Sequence, residues 1–374
     1  MRIKTRRFLG AAVVLAALFP LGAVPAQASG GGITVVATGL NNPRGLHFGP
    51  DGQLYVAEGG LGGTTTNTVG RCQQVPPPVG PYTSSGNSAS ISRVDPRTGA
   101  VTRVATHLPS SQTSLAIGGD VSGVADVAFV GNTLYAMISG AGCSHGLAGT
   151  NNAIVRVNPD GSTTQVANLS QFLMTHPVAN PEPSVPPGDF EPDGTWYGMA
   201  AKGNALYAIE PNHQEMDRIQ TANGHISRVV DFSKTFIAPA DWRGPTAITR
   251  DGGSFYVGTL TPFPPVVPGN AQVFKVNPGG HFTLFAGRLT TVLGLAVDSS
   301  DRLYVLEMSD AAGFPTPGAG DIVRINTDGS RQTIASGLDL PTAMTIGPDG
   351  NLYVSDKGFG FPPGQGEIVK VTLS

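Results

Sequence analysis

The chain has 374 residues, of which 40% are hydrophobic and 13% are charged, and it carries a formal net charge of −3. With 51 glycines and 31 prolines it belongs among folded, turn-rich chains and not among disordered ones. The mild acidity, without clustered Lys and Arg, argues against nucleic acid and anionic membrane surfaces as partners.

The N-terminal 28 residues have the three parts of an export signal. A basic start, which contains the twin-arginine-like run Thr5-Arg6-Arg7-Phe8-Leu9, precedes an apolar stretch that ends near Val24. Ala26-Gln27-Ala28 then has the A-x-A form of a signal-peptidase site. Pro20 and Gly22 interrupt the apolar stretch, which is also shorter than the ~20 residues of a membrane span. A cleaved signal is therefore favoured over a membrane anchor.

We accordingly predict that residues 1–28 are removed during Sec or twin-arginine export and that the mature protein is secreted or extracytoplasmic, with no membrane span. Cleavage lowers the basic count from 23 to 19 against 26 acidic residues, so the mature net charge becomes −7. Cys72 and Cys143 remain, and an even cysteine count in an exported chain indicates one disulfide. Two free buried thiols are the alternative.

A Leu-Tyr-Val motif recurs along the chain and predicts its architecture. The first and last copies lie in the nearly identical octets GPDGQLYV (49–56) and GPDGNLYV (347–354). The last four copies are spaced by 49, 48 and 49 residues, and such a period with several short strands per unit predicts propeller blades. The copies are Leu54-Tyr55-Val56, Leu134-Tyr135-Ala136, Leu206-Tyr207-Ala208, Phe255-Tyr256-Val257, Leu303-Tyr304-Val305 and Leu352-Tyr353-Val354.

Each unit predicts the same succession of strands. An apolar strand such as GLHF or GLAV comes first, and a Gly/Asp/Asn turn leads to the Leu-Tyr-Val strand. The third strand has the pattern I-x-R/K-V, and in four units a turn and a fourth strand follow. The third strands are ISRV (91–94), IVRV (154–157), ISRV (226–229), VFKV (273–276), IVRI (322–325) and IVKV (368–371).

The last unit stops after its third strand, and ITVVA (33–37) resembles the fourth strand that it lacks. If the N-terminal strand completes the last blade, the ring closes and no sheet edge is left exposed there. We therefore predict an all-β fold, a six-bladed β-propeller that forms a single domain over residues 33–374.

Insertions mark where the units differ, and in a repeating scaffold such departures are where function is expected. The loop between the second and third strands of blade 1 spans residues 59–90 and carries Cys72, whereas Cys143 lies in the equivalent loop of blade 2. The link from blade 2 to blade 3 is proline-rich and acidic and ends at Trp196-Tyr197. We expect these insertions to cover a ligand on one face of the ring, called the long-loop face below.

Acidic residues follow the Leu-Tyr-Val strand in four units and would point from four blades towards one mouth of the channel. Carboxylates placed in this way suit a hard cation such as Ca²⁺. Salt bridges to Arg44 or to the basic third-strand residues are the alternative. The four acids are Glu58, Glu210, Glu307 and Asp356.

His47 and Asp126 are polar exceptions on two adjacent innermost strands, at positions that the other units fill with Ala, Thr or Gly. Their side chains would project into the channel as a catalytic acid/base pair or as a pair bridged by water. The remaining histidines of the long-loop face, His145 and His213, are interpreted as solvated loop residues.

The unit L-x-x-PRGL-x-F-GPDG-x-LYVAE (40–58), its reprise at 340–356, the export signal and the cysteine-bearing early loops resemble the ScyD/ScyE family of exported bacterial proteins. The GPDG-x-LYV unit is also similar to that of NHL-type and SMP-30-like sugar-lactonase propellers. The resemblance implies an NHL-like propeller outside the cytoplasm, without assigned catalytic residues. Related calcium-dependent lactonases have a glutamate before the first proline of the motif, where this chain has Asn42. Related quinone-dependent sugar dehydrogenases use a channel-facing histidine, for which His47 is the counterpart.

These observations favour a non-enzymatic binding protein, a monomer that holds a small molecule, glycan or protein at the long-loop face. The binding residues would be Arg44, the four acids, Trp196 and Tyr197 at the channel mouth. Ca²⁺ is the one cofactor that the sequence suggests. The alternatives are a calcium-dependent lactonase-type hydrolase at the channel mouth and a quinone-dependent sugar dehydrogenase.

Overall fold

A computed structural model describes residues 32–180, 191–237, 241–261 and 265–373. The predicted export signal, residues 1–28, and the central part of the link between blades 2 and 3, residues 181–190, lie outside this range.

The described residues form six antiparallel sheets, and the innermost strand of each sheet contacts the innermost strands of the two neighbouring sheets. This is the predicted six-bladed β-propeller. The strands are β1 (Ile33–Leu40), β2 (Pro43–Phe48), β3 (Leu54–Glu58), β4 (Thr83–Val94), β5 (Val101–Gln112), β6 (Val121–Ser122), β7 (Val124–Val130), β8 (Thr133–Ile138), β9 (Ala153–Val157), β10 (Thr163–Asn168), β11 (Gly198–Lys202), β12 (Ala205–Glu210), β13 (Glu215–Gln220), β14 (Ile226–Asp231), β15 (Gly244–Asp251), β16 (Ser254–Leu260), β17 (Ala271–Val276), β18 (Phe282–Leu289), β19 (Val292–Val297), β20 (Leu303–Glu307), β21 (Gly320–Ile325), β22 (Arg331–Leu338), β23 (Ala343–Ile346), β24 (Leu352–Asp356) and β25 (Gly366–Val371).

Blade 1 consists of β2 to β6, and blades 2 to 5 consist of β7 to β10, β11 to β14, β15 to β18 and β19 to β22. Blade 6 contains β23, β24 and β25 and is completed by β1, which pairs with β25 from Ile33 opposite Val371 to Leu40 opposite Gly366. The prediction that the N-terminal strand closes the ring is therefore confirmed.

The Leu-Tyr-Val tyrosines pack between blades, as their recurrence indicates. Tyr55 of blade 1 meets Phe129 of blade 2 edge-to-face with ring centroids 5.0 Å apart, and Tyr353 of blade 6 meets Phe48 of blade 1 at the same distance. Across each sheet the tyrosine lies opposite a basic residue of the third strand, as Lys370 does for Tyr353. These pairs tie the repeat motif to the blade interfaces.

Blade 3 departs from the predicted strand order. Residues 226–229 (ISRV) lie in the outermost strand β14, so they do not form the third strand. The third strand is β13, which begins four residues after β12, and its Arg218 lies opposite Tyr207. The prediction failed because β13 buries Glu215 and Asp217, charged residues that hide its strand pattern in the sequence.

Part of the predicted blade 1 loop extends the sheet instead. Strands β4 and β5 have 12 residues each, whereas the third strands of the other blades have 5 or 6.

The segment LSQFLMT, in the link from blade 2 to blade 3, forms helix α1 (Leu169–Thr175), where the Asn168 side chain accepts a hydrogen bond from the Gln171 amide at 2.9 Å. Short 3₁₀ turns occur at Leu115–Ile117 and Phe232–Lys234.

Cys72 and Cys143 form a disulfide that joins the long loops of blades 1 and 2. Both cysteines are therefore accounted for, as the even cysteine count predicts. Within residues 32–373, apart from the gaps stated above, we find no helix with the length and apolarity needed to cross a bilayer.

We predict that Leu40→Ala destabilises the protein far more than Val35→Ala, although both lie in β1. Leu40 is fully buried, whereas Val35 is 52% exposed. Loss of a buried leucine costs about 2–5 kcal/mol, and a surface truncation changes stability by about 0.5 kcal/mol or less. Urea unfolding of the oxidised proteins measures both values. Equal effects of the two substitutions would contradict ring closure by β1.

Candidate functional site

The innermost strands of the six blades surround a channel cavity of about 300 Å³. Its wall is mostly small, with Gly198, Ala247, Gly294 and Ala343 among the residues that face it. Small residues are needed here because the strands approach one another closely. A Cβ atom at Gly294, for example, would lie 2.9 Å from the Met344 amide nitrogen of the next blade. His47 and Asp126 both line this channel, as the sequence predicts.

His47 and Asp126 face each other across the boundary between blades 1 and 2. The distance between His47 Nε2 and Asp126 Oδ1 is 3.7 Å, which exceeds a hydrogen bond. Asp126 Oδ2 accepts a hydrogen bond from the Met199 amide of blade 3 at 2.7 Å, and Oδ1 accepts one from the Val127 amide at 2.8 Å. Asp126 therefore joins blades 2 and 3.

The electrostatic setting makes this pair neutral at neutral pH. Burial raises the pKa of Asp126 to about 8 and outweighs its two amide donors. The same cause lowers the pKa of His47 to about 4. Although 37% of the His47 side chain is exposed, that surface faces the enclosed channel. A neutral imidazole beside a protonated carboxyl group can exchange hydrogen bonds, but His47 is a weak base.

A second cavity of about 130 Å³ lies at the long-loop end of the innermost strands; we call it the loop-face pocket. Tyr197, Thr246 and Leu293 border both cavities and so form the layer between them. The two groups of predicted site residues therefore do not share one cavity. The wall of the loop-face pocket also includes Arg44, Tyr82, Asp120, Glu191, Trp242, Met308 and Phe359.

Arg44 holds this layer together. Its guanidinium donates to Asp120 Oδ1 at 2.5 Å and to the Val121 carbonyl at 2.6 Å. Burial alone would lower the pKa of Arg44, but Asp120 and Tyr197 outweigh it and raise the pKa above its ordinary value. Burial raises the pKa of Tyr197 to about 12, and its hydroxyl donates to the Thr342 carbonyl at 3.2 Å. Arg44 is thus neutralised by Asp120.

A buried hydrogen-bonded group also contributes to the wall of the loop-face pocket. Glu191 accepts a hydrogen bond from the Tyr82 hydroxyl, and its Oε2 lies 2.9 Å from His145 Nε2. The Tyr82 and His145 rings pack edge-to-face, and His145 is fully buried. This group joins the long loops of blades 1 and 2 to the start of blade 3 and fixes the Glu191 carboxylate at the pocket wall.

The four acids at the ends of the second strands do not converge. Each accepts a hydrogen bond from a backbone amide in the segment that leads into the innermost strand of its own blade, such as the Asn41 amide for Glu58 at 2.7 Å. Glu210 binds the Thr195 amide at 2.8 Å, and Asp356 binds the Asp339 amide at 2.9 Å. Glu307 binds the Thr290 amide in the same way.

This role differs from the predicted cation site. Among the described residues no group of three or more His, Cys, Asp or Glu side chains is arranged to hold a metal ion. Burial raises the pKa of Glu307 to about 8 and that of Asp356 to about 6. A cation shared by the four acids at the channel mouth therefore receives no support from the described residues, where their carboxylates complete the backbone hydrogen bonding of separate blades.

Three other residues lie in environments that differ from those expected from the sequence. Trp196 is 1% exposed and packs in the core between blades 2 and 3, whereas its neighbour Tyr197 lines the pocket. His145 and His213 were interpreted as solvated, yet His145 contacts Glu191 as described and His213 Nδ1 lies 3.2 Å from Glu210. Both histidines are buried by segments that are distant in sequence.

Sequence reasoning missed Tyr82, Asp120, Glu191, Trp242 and Phe359 as pocket residues. One signal was available, because Tyr82 and Tyr197 are the two of the eight tyrosines that stand outside the Leu-Tyr-Val motif. Both line the loop-face pocket. A second signal is the sequence EPDG (191–194), a turn-like segment with an acid at its start that precedes the first strand of blade 3.

Comparison with solved structures shows the fold. A protein of unknown function from Bacteroides thetaiotaomicron matches with a TM-score of 0.54 and 10% identity, over 91% of this chain and 75% of that one. An oxidoreductase described as a glucose dehydrogenase, from Thermus thermophilus, matches with a TM-score of 0.53 and 17% identity, over 92% and 100%. A gluconolactonase from Xanthomonas campestris matches with a TM-score of 0.51 and 10% identity, over 91% and 89%. The chain shares its β-propeller fold with these proteins.

No protein-family model matches the sequence, and no curated protein matches it either. At 10–17% identity the structural likenesses show the fold alone.

We predict that Asp126→Asn changes how stability depends on pH. Between pH 6.5 and 8 the folded wild type keeps a proton on Asp126, whose pKa is about 8, while the unfolded chain has lost it. Folded protein then binds more protons than unfolded protein, so stability falls with rising pH by about 1.4 kcal/mol per pH unit from this group. The substitution removes this slope.

Urea unfolding at pH 6.5, 7.2 and 8.0 measures the slope. His47 contributes a slope of the opposite sign near pH 6.5, because its pKa is about 4 in the folded protein and about 6.5 in the unfolded chain, but this contribution is common to the wild type and the variant and cancels in their comparison. Asp160→Asn, in an exposed turn, is the matched control and leaves the slope unchanged. Identical slopes for the wild type and Asp126→Asn would show that Asp126 is ionised in the folded protein.

Proposed function

We propose that the protein is a binding protein for a small, neutral, hydroxyl-rich molecule such as a sugar, held in the loop-face pocket. The observation that carries this proposal is the meeting of two carboxylates, Asp120 and Glu191, with the aromatic side chains of Tyr82, Trp242 and Phe359 around one small cavity. Carboxylates accept hydrogen bonds from hydroxyl groups, and aromatic rings cover the apolar faces of a sugar ring.

The charge of the pocket favours a neutral ligand. Arg44 is paired with Asp120, and Glu191 places a second carboxylate in the wall of the pocket. An anionic ligand would therefore meet repulsion. Asp120 retains 31% side-chain exposure and can accept a further hydrogen bond, since each carboxylate oxygen has two acceptor sites.

The names of two structural neighbours agree with a ligand of this class. One is a gluconolactonase and another is a glucose dehydrogenase. At their low identity they support the type of ligand and do not identify the ligand itself.

We also propose export, from the N-terminal segment, and membership of the ScyD/ScyE family, from the L-x-x-PRGL-x-F-GPDG-x-LYVAE unit.

The two enzymatic alternatives receive less support from the geometry. A lactonase of the calcium-dependent type needs convergent metal ligands, and the four acids are engaged with their own blades. A sugar dehydrogenase would use His47 as its base, yet His47 has a low pKa and lies in the channel on the other side of Tyr197. We therefore propose binding without turnover.

Calorimetry with D-glucose, myo-inositol, glucono-1,5-lactone and gluconate tests the proposal. We expect at least one neutral compound to bind and gluconate to bind more weakly. Phe359→Leu keeps apolar volume but removes the ring face, so affinity should fall about fivefold, or roughly 1 kcal/mol. Asp120→Asn should weaken binding about tenfold or more, because a charged hydrogen-bond acceptor is lost.

Asp160→Asn again serves as the control and should bind like the wild type. Melting temperatures of all variants establish that they are folded. If no neutral polyhydroxy compound binds, or if Phe359→Leu and Asp120→Asn bind as tightly as the wild type, the loop-face pocket is not the binding site.

A further inference from the structure

An open groove of about 710 Å³ lies where the outer strands of blades 4 and 5 meet, and it shares no residue with the channel or the loop-face pocket. Three arginines from separate parts of the chain line it: Arg243 just before β15, Arg288 in β18 and Arg331 at the start of β22. The amide side chains of Asn270 and Gln272 complete its polar wall. We call this the arginine groove.

The described residues that line the groove give it a positive charge, because none of them carries a carboxylate. Some basic residues elsewhere are paired with acids, as Lys275 is with Asp251 at 2.5 Å and Lys370 with Asp349 at 2.7 Å. Arg288 and Arg331, in contrast, have no ion-pair partner among the described residues. A positive cluster therefore persists on a chain whose net charge is −3.

The backbone at Arg288 adds an independent observation. A β-bulge in the pairing of β17 with β18 places Arg288 at φ +56°, in the left-handed region that residues with a side chain disfavour. The same bulge position is filled by Gly39 in β1 and by Gly337 in β22, at φ +83° and +87°, and by His107 in β5 at φ +60°. Blades 4 and 1 thus have arginine and histidine where blades 6 and 5 have glycine, and strained positions of this kind cluster at binding sites.

Arg331 is held beside this bulge by the neighbouring blade. Its guanidinium donates to the Gly287 carbonyl at 2.6 Å and to the Arg288 carbonyl at 3.2 Å. The Arg331 guanidinium is consequently held against the backbone of Arg288, and both arginines line the groove. An anion in the groove could accept charge-assisted hydrogen bonds from both guanidinium groups.

We propose that the arginine groove binds an acidic oligosaccharide, with its carboxylate or sulfate groups on the arginines and its hydroxyls on Asn270 and Gln272. The groove is far larger than one inorganic ion. The side-chain amides of Asn270 and Gln272 form no hydrogen bond with another described residue, so they are available to hydroxyl groups. Nucleic acid fits less well, because no described residue of the lining is aromatic and could stack on a base.

Titration with trigalacturonate, the neutral galactose trisaccharide, sodium sulfate and a dT12 oligonucleotide tests the proposal at 50 mM and 200 mM NaCl. We expect trigalacturonate to bind most tightly, and more weakly at the higher salt concentration. Arg288→Gly should weaken trigalacturonate binding at least tenfold while the melting temperature stays equal or rises, because glycine suits the left-handed bulge. Arg331→Gln should also weaken binding.

Arg97→Gln is the matched control, since Arg97 is 84% exposed at a remote turn of blade 1 and the substitution removes the same charge. It should leave the dissociation constant within about twofold, as expected for a charge beyond the Debye length. The proposal is overturned if the neutral trisaccharide binds as tightly as trigalacturonate, or if dT12 is the preferred ligand. It is also overturned if Arg288→Gly and Arg97→Gln have the same effect on trigalacturonate binding. Sulfate binding as tightly as trigalacturonate would indicate an adventitious ion only.

Discussion

Pairing of the two ends of the chain is the constraint on which the rest of the structure depends. Strand β1 supplies the fourth strand of blade 6, so the last sheet is completed by residues that lie more than 300 positions away in sequence. Hydrogen bonds from Thr342 to the Pro43 carbonyl and from Ser355 to the Arg44 carbonyl join blades 6 and 1 near the axis. A closed ring fixes how closely the innermost strands approach, and this distance determines which residues fit there.

The narrow axis explains why polar side chains near it are few and heavily constrained. Asp126 is accommodated because Gly45 of blade 1 has no side chain, since a Cβ there would lie 1.9 Å from Asp126 Oδ1. Arg44 fits only together with Asp120 and Tyr197, and this group separates the channel from the loop-face pocket. Closure of the ring therefore creates two chemically different cavities, one nearly neutral and one lined by carboxylates and aromatic rings.

The fold could be predicted from the sequence because its signal is periodic. Spacing near 49 residues, the apolar first strand and the missing last strand each follow from local patterns that repeat. Blade 3 was misassigned where charge interrupts the pattern, since Glu215 and Asp217 are buried in β13. The pocket could not be predicted in the same way, because Glu191 and His145 meet through loops that do not repeat and whose contacts are long-range.

Departures from the repeat include substitutions as well as insertions, and the two differ in how easily a sequence reveals them. Insertions are visible in a sequence because they change the spacing of the repeats, whereas a substitution in a bulge is visible only when the strand register is known. Arg288 stands in the column of Gly39 and Gly337 once the bulges of β1, β18 and β22 are superimposed by their pairing. Glycine suits this conformation best and occupies it in β1 and β22, whereas β5 has His107 there. An arginine at this strained position beside Arg331, which also lacks an ion-pair partner among the described residues, is the feature from which we infer a binding role for the outer wall of the ring.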